Sequence, residues 1–586
     1  MAFVASWPVI FREPRRRVKL TTKTRTKTCP MMKDECRPCR ADPTPAVIAW
    51  SSRDGASSWD AMNFILYSDV NDHSICASLG RPEYSYYFVL KAYRPVMESL
   101  GRVHVAAAVA DVDVLYRQLL AAGEDSVFLS FTPPQKTPVD LECPTICVVA
   151  WEFDSIPDEQ WDDDPRHDWT QMLARHGRVI TLSSHTARAI RRAMGEEFPV
   201  LVLPTPLWEN FTAIRQQHVS MPINAGTTLT IKGCIFDSRT LELSADALIP
   251  TPITPEEEAA LAAAIEAARP PPLTLKRRWV IARHYLRLWA LNPRHSQTEA
   301  VPRVRFLYNW YWEGIRDLVP DVLHGWLEKR LPAVCGALPV PMVEPLEVEL
   351  PDTSSVVETT VDGVVYVSVF NPRDGRKNWH HLVTAFCWAF RETPDATLVL
   401  KITQNDLASY YSELMTLLAQ LTPFACRVVV MHGYLDDAQY ARLYQAASFY
   451  VNASRCEGLC LPLMEFMSSG KPAIAPDHTA MQDYIDESVA FVVKSSEELT
   501  IWPQDTRIIY RTLRHRPDWG SLKNAYEDSY RMARTQPQQY RQMSDAAVER
   551  MREYCAFAPV QKRLADFFAL APRAADAAPV TDNASC

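Results

Sequence analysis

Short continuous apolar runs alternate with stretches of helical period along much of the chain. The first run is Phe64–Ser68, followed by a polar loop through Gly80 and a helix-period stretch from Tyr84 to Leu100. Val103–Val105, a helix around Val114–Ala122, Ser126–Leu129 and Ile146–Ala150 come next. Val179–Leu182, a helix over His185–Met194 and Val200–Leu203 complete the unit. Strands that are apolar on both faces belong between two helix layers, so the pattern predicts a parallel Rossmann-like sheet. A second such unit runs through Val364–Val369, Thr397–Leu400, Arg427–Val430, Phe449–Val451 and Pro472–Ala475. Ala546–Leu570 reads as a terminal helix pair. Two doubly wound α/β domains in tandem leave a cleft between them, with ligand sites at the strand carboxyl ends.

The alternation stops near Pro206. Thr228–Ile231 and Thr240–Leu243 alternate with period two, which predicts a small antiparallel ribbon. A helix is expected over Glu256–Ala268, before Pro270–Pro272. Tyr308, Trp310, Trp312 and Trp326 then lie among Arg305, Arg316, Lys329 and Arg330. Such a stripe is either core or an amphipathic surface for a membrane or an acceptor. The expected division is a disordered basic tail over 1–45, a first domain over 46–208 and an inserted mixed segment over 209–358. A second domain spans 359–535, terminal helices 536–570 and a disordered tail 571–586.

The net charge of -8 is uneven: Arg12–Arg40 holds eleven Lys and Arg against Glu13, Asp34 and Glu35. The folded part is therefore acidic, which argues against a nucleic-acid binder; the basic arm is either a solvated tail or a contact for anionic lipid. The fourteen cysteines form no framework, and Cys36–Cys39 is a lone C-x-x-C beside Cys29, so no metal is expected there. Free thiols suit a reducing cytoplasm, and no run approaches the length of a spanning helix. A cytoplasmic protein, at most peripheral at the inner membrane face, is the expectation.

The chemistry concentrates in Ser454–Pro472, SRCEGLCLPLMEFMSSGKP. The stretch leaves a buried strand, crosses a short loop and starts a helix at Pro462, a residue suited to a first helical turn. Backbone N–H groups around Leu459 to Leu463 would point into the cleft at the positive end of a helix dipole, an anion site fit for a diphosphate. Glu457 precedes the helix and Glu465 lies one turn inside it.

This segment resembles the signature of retaining GT-B glycosyltransferases, in particular family 4 (glycosyl transferases group 1), with two glutamates eight positions apart. Glu457 and Glu465 match those carboxylates, and Gly458, Leu461, Pro462, Gly470 and Pro472 match the frame. Cys460 stands where the family has glycine. His432-Gly433-Tyr434 through Ala447 is similar to the element whose backbone, near Tyr434, recognises the nucleotide base. The resemblance implies a cation pair for the donor diphosphate: Lys377 fits, and Arg373 or Arg376 takes the arginine role. In the first domain, Gly80 occupies the place of the Gly-rich loop. Trp151 stands where histidine is usual, and Glu152 or Asp154 supplies an acid on the sugar or acceptor side. Leu459 and Cys460 complete the implied donor contacts.

The function implied is a retaining transfer of a sugar from a nucleoside-diphosphate sugar to a carbohydrate, lipid-linked or other hydroxyl acceptor, in bacterial surface polysaccharide or glycoconjugate assembly. Fixed protein cations would serve the leaving diphosphate, so no metal or other cofactor is expected. An inactive nucleotide-sugar binder and a GT-B sugar-nucleotide epimerase are the alternatives. Neither first strand is followed by G-x-G-x-x-G, and no G-x-x-x-x-G-K-[ST] occurs, which disfavours dinucleotide and P-loop chemistry.

Overall fold

The computed structural model describes residues 62–71, 84–249, 273–291, 303–331 and 350–569, with Ser74, Ile75, Ser78, Gly80 and Ala259. The basic tail, the helix expected over Glu256–Ala268 and the tail from 571 lie outside the described residues.

The first domain is a six-stranded, wholly parallel sheet in the order β2-β1-β3-β4-β5-β6. Its strands are β1 (Asn63–Ser68), β2 (Arg102–Val105), β3 (Ser126–Phe131), β4 (Thr145–Val149), β5 (Val179–Thr181) and β6 (Val200–Val202). Helices α1 (Ser85–Glu98), α2 (Ala110–Ala121), α3 (Trp169–His176) and α4 (Ser184–Met194) connect them. Their starts follow the side chains: Asp168 accepts from the N–H groups of Thr170 and Gln171 at the head of α3, and Ser183 from Thr186 at the head of α4. A short helix, α5 (Thr212–Gln217), leads out of the domain.

The second sheet departs from the expected plan. Residues 224–237 form one long strand, β7 (Asn224–Asp237), not half of a local ribbon, and Thr240–Leu243 is a turn leading into a 3-10 segment. β7 pairs antiparallel with the first half of β8 (Val356–Phe370) and with β10 (Arg427–Tyr434). The second half of β8 pairs in parallel with β9 (Ala396–Ile402), and β9 with β10. Strands β7 to β10 therefore close into a ring of pairings. β8 changes partners at Gly363, whose φ is +80° and where a Cβ would stand 2.0 Å from the Asp395 carbonyl oxygen. Only glycine fits that bend. The sheet continues from β8 through β11 (Phe449–Val451), β12 (Ala473–Ala475) and β13 (Ala490–Val492).

The stretch expected to be an insertion over 209–358 thus contributes a core strand to the second domain. The period-two pattern of Leu229 and Ile231 shows a half-buried strand, but its partners lie more than a hundred residues away and leave no local trace. What branches off between β7 and β8 includes three helices: α6 (Leu275–Leu291), α7 (Arg303–Trp310) and α8 (Asp321–Arg330).

Helices α9 (Trp379–Ala389), α10 (Ala408–Leu421), α11 (Asp437–Ala446) and α12 (Leu461–Ser468) cover the second sheet. The two Rossmann-like domains face each other, with Gly458 of the second against Ala150 and Trp151 of the first. An antiparallel hairpin, β14 (Ser495–Ile501) and β15 (Arg511–Pro517), reaches from the second domain to the first. Trp502 at its turn packs edge-on against Trp151, Trp161 and Trp169. Thr512 and the Leu513 N–H both donate to Asp154, and the Tyr510 hydroxyl donates to Ser155. After the hairpin come α13 (Trp519–Thr535), α14 (Pro537–Cys555) and α15 (Phe557–Phe568). The last of these returns to the first domain, with Phe568 edge-on to Phe64 at 5.5 Å and Gln561 donating to Ser99 at 2.8 Å.

The hairpin is thus a clasp between domains. Trp502→Ala should cost about 3–5 kcal/mol, the usual range for deleting a buried tryptophan. Urea melts would show a lowered midpoint; a midpoint equal to wild type would mean the clasp holds nothing.

Candidate active site

The loop after β11 carries the densest polar chemistry. Asn452 accepts from the Ser454 N–H and donates to the Cys460 sulfur at 3.0 Å, while the Tyr484 hydroxyl donates to the Leu459 carbonyl at 2.7 Å. Cys460 sits in the left-handed region at φ +67° and immediately precedes α12. That conformation explains why glycine suits this place; here burial of the thiol and the Asn452 contact hold a non-glycine residue. Among the described residues, no acceptor stands against the N–H groups of Gly458, Leu459, Cys460 and Leu461, and Pro462 has none to offer. The start of α12 therefore presents open donors at the positive end of its dipole.

Gly458 faces the first domain at close range. A Cβ there would stand 3.2 Å from both the Ala150 Cβ and the Trp151 nitrogen, at the carboxyl end of β4. The loop and the strand end approach as nearly as a missing side chain allows.

Arg376 and Lys377 come from a 3-10 turn, Gly375–Lys377, that follows β8 and is capped by the Asp374 side chain. Both converge on Glu457, which is 3% exposed. Its Oε1 accepts from Lys377 Nζ at 2.6 Å and from the Ser454 hydroxyl at 2.6 Å, and its Oε2 from Arg376 Nη1 at 2.8 Å. Burial opposes ionisation of this carboxyl, yet Lys377 and Arg376 outweigh it and hold the group far below the usual carboxylate range. Arg376 also pairs with Asp374 at 2.9 Å and reaches Glu152 at 3.5 Å. The arginine beside Lys377 is therefore Arg376. Arg373 is a correction to the expected cation set: it lies ahead of the turn, 60% exposed and 3.9 Å from Asp406, outside the cluster.

Glu465, inside α12, accepts from the Tyr444 hydroxyl at 3.0 Å. Burial pushes its carboxyl up to about 7, against the lowering effect of that hydrogen bond. Tyr440 stacks on Tyr444 with ring centroids 6.0 Å apart. Tyr84, at the head of α1, is hydrogen-bonded to Thr403 and lies within electrostatic reach of Lys377, Glu465 and Arg376. Tyr434 ends β10, half exposed, within reach of Tyr440. Gly80, on the first-domain side like Tyr84, meets the second domain: its carbonyl accepts from Asn371 at 2.9 Å and its α-carbon faces the Gln404 amide.

Of the three residues expected on the sugar or acceptor side, only Glu152 faces the cluster. Trp151 is buried in the aromatic clasp, and Asp154 is engaged by Thr512, the Leu513 N–H and Arg192. Both are corrections with one cause: β14 and β15, which the sequence pattern did not reveal, occupy that flank.

Sequence reasoning also missed several groups. Lys401, buried at the end of β9, donates to the carbonyls of Ile402 and Gly433 at 2.7 Å each, and burial pulls its ammonium down to about 7. His478, just past β12, stacks on His515 at 4.3 Å; burial pulls its imidazole down to about 3. Burial likewise pulls His185, just past β5, down to about 4. The Nε2 atoms of His185 and His478 have no hydrogen-bond partner among the described residues. The readable signal was position: each of the three follows or ends a strand at its carboxyl end. No group of three or more His, Cys, Asp or Glu among the described residues is arranged to hold a metal.

Residues 362–501, which include Lys377, Glu457 and Glu465, match the family described as Glycosyl transferases group 1. No curated protein matches the chain. Solved structures it resembles include HepE from Anabaena in complex with UDP and glucose, at 12% identity over 86% of this chain and 99% of that one, with a TM-score of 0.39. A glycosyltransferase from Rickettsia africae is 8% identical over 87% and 98% of the two chains, with a TM-score of 0.40. WaaG, a glycosyltransferase involved in lipopolysaccharide biosynthesis, is 10% identical over 86% and 99%, with a TM-score of 0.39.

Glu465 generates a stability test. In the folded chain it keeps its proton up to about pH 7, against an ordinary carboxyl value of 4.5, so unfolding releases a proton between those limits. Stability from this group is present below pH 4.5 and is lost as pH rises through 7. Glu465→Gln should flatten that decline and exceed wild type above pH 7 by about 1–3 kcal/mol. Parallel pH-dependent decline in both proteins would refute the assignment.

Proposed function

We propose that the protein transfers a sugar, with retention of anomeric configuration, from a nucleoside-diphosphate sugar to a hydroxyl acceptor. The observation that carries this reading is the convergence of Lys377, Arg376 and Glu457 beside four open N–H groups at the head of α12. The match of residues 362–501 to a glycosyltransferase family supports it independently.

In this reading the nucleotide lies along the second domain. Glu465 accepts hydrogen bonds from ribose hydroxyls, and the backbone near Tyr434, flanked by Tyr440 and Tyr84, holds the base. The diphosphate receives the N–H groups of Gly458 to Leu461 and the ammonium of Lys377, which has further N–H bonds beyond the one given to Glu457. Arg376 is largely committed to Glu457, Asp374 and the Cys456 carbonyl, so its main part is to fix the carboxylates around the sugar.

The bond that breaks joins the anomeric carbon to the diphosphate oxygen, and its electrons leave with the diphosphate. The acceptor oxygen bonds to the same carbon from the same face, and its proton passes to the departing diphosphate. Positive charge develops at the sugar ring while negative charge grows on the leaving group. Lys377 and the α12 donors stabilise the latter, and Glu457 and Glu152 lie on the side of the former. The neutral imidazoles of His185 and His478 offer hydrogen bonds to sugar hydroxyls. Since fixed cations and backbone dipoles serve the diphosphate, the proposed reaction uses no metal.

Release of nucleoside diphosphate from a panel of nucleotide sugars, assayed in EDTA, tests the reading, with the product anomer assigned by NMR. Glu457→Gln should lower turnover by about 10²-fold or more, the scale of losing one electrostatic stabiliser. Absence of release from every donor, an inverted product, or a Glu457→Gln protein as fast as wild type would each overturn it.

A further inference from the structure

The helices between β7 and β8 take no part in the donor site, and their packing is turned outward. Within the group, contacts are partly aromatic, with Tyr311 and Trp312 packed against each other and against His324, and partly polar. Arg278 is buried and bonds Asp317 and, at 2.6 Å, the Gly314 carbonyl. Tyr285 donates to Glu313 at 2.7 Å, and Tyr311 bonds His324 at 2.7 Å. Other large apolar side chains face solvent. Along α6, Leu275, Trp279 and Leu286 are 84%, 62% and 66% exposed. Their spacing of four and seven places them in one row along the helix.

A basic row runs beside it: Lys276, Arg283 and Arg287 are all exposed, about a quarter-turn away. The Arg283 guanidinium lies over the Trp279 ring at 5.5 Å. α8 repeats the combination, with Val322 and Trp326 exposed and Arg330 over Trp326 at 5.0 Å. Residues 275–331 hold eleven Lys and Arg against five Asp and Glu, in a chain whose net charge is -8.

We infer that this helical segment docks on an anionic lipid surface, its leucine and tryptophan row entering the acyl boundary and its arginine row meeting phosphate headgroups. An exposed row of leucine and tryptophan beside a row of arginine is the composition of an interfacial helix. The charge excludes the simplest other occupant: a symmetric contact with a second copy would set one arginine row against another. The inference stands on α6 and α8 alone and does not depend on the donor reading.

Flotation of the full chain with vesicles of phosphatidylcholine, alone or mixed with phosphatidylglycerol, tests it. The protein should partition to the mixed vesicles and be released by salt. Trp279→Ser with Leu286→Ser, and separately Arg283→Glu with Arg287→Glu, should each lower that partition at least about tenfold. Because the basic arm near the amino terminus is unchanged in both variants, it cannot produce the difference. Partition equal to wild type in both variants overturns the inference, as does equal binding to pure phosphatidylcholine. A dimer in sedimentation that dissociates in the Trp279→Ser, Leu286→Ser protein would overturn it in favour of a second copy.

Discussion

A carboxylate buried as deeply as Glu457 is tolerable only when charged partners surround it, and that requirement organises the cleft. Removing two or three charges from water costs several kcal/mol per ion, of the order of 5, unless the pairing geometry is close. The partners arrive from separate parts of the chain. Lys377 and Arg376 stand on the turn after β8, Ser454 and Glu457 on the loop after β11, and Thr479 accepts from the Glu457 N–H beyond β12. Three parallel strands must hold register for these groups to meet. Glu152, from the first domain, approaches the same arginine and brings the other half of the cleft into the network.

The distance between domains is fixed by contacts of a different kind. Gly458 lies against Ala150 and Trp151, Asp483 accepts from the Ser184 N–H at the head of α4, and the hairpin clasps Asp154 and Ser155. The aromatic cluster around Trp502 adds apolar area to these hydrogen bonds, and α15 closes the far side. The two domains are thereby held together around the Glu457 cluster. Apolar and basic rows face outward elsewhere, on α6 and α8.

Much of this arrangement could be read from the residues, for identifiable reasons. Parallel strands buried on both faces announce themselves as apolar runs, which is why the eleven strands of the two alternating units lay where the pattern placed them. The two glutamates, Lys377 and the helix start at Pro462 lie in one stretch or on one strand end, so their placement was legible in the spacing. β7 was misplaced because its partners are distant in sequence. Trp151 and Asp154 were misassigned because a hairpin rich in charged residues gave no strand signal. Arg373 and Arg376 could not be separated until the 3-10 turn fixed which one faces inward. Tyr84, Lys401 and His478 are single residues at element ends, and only the assembled sheet brings them to the cleft.

The central claim is that Lys377 serves the diphosphate while Glu457 holds the cations and faces the sugar. Calorimetric titration of nucleoside diphosphates into wild type, Lys377→Ala and Glu457→Gln tests it most directly. Lys377→Ala should weaken binding by about 1–3 kcal/mol, the scale of a charge-assisted hydrogen bond. Glu457→Gln should bind at least as tightly as wild type, because a carboxylate that repels the phosphates has been removed. Unchanged affinity in Lys377→Ala, or a large loss in Glu457→Gln, would contradict the account.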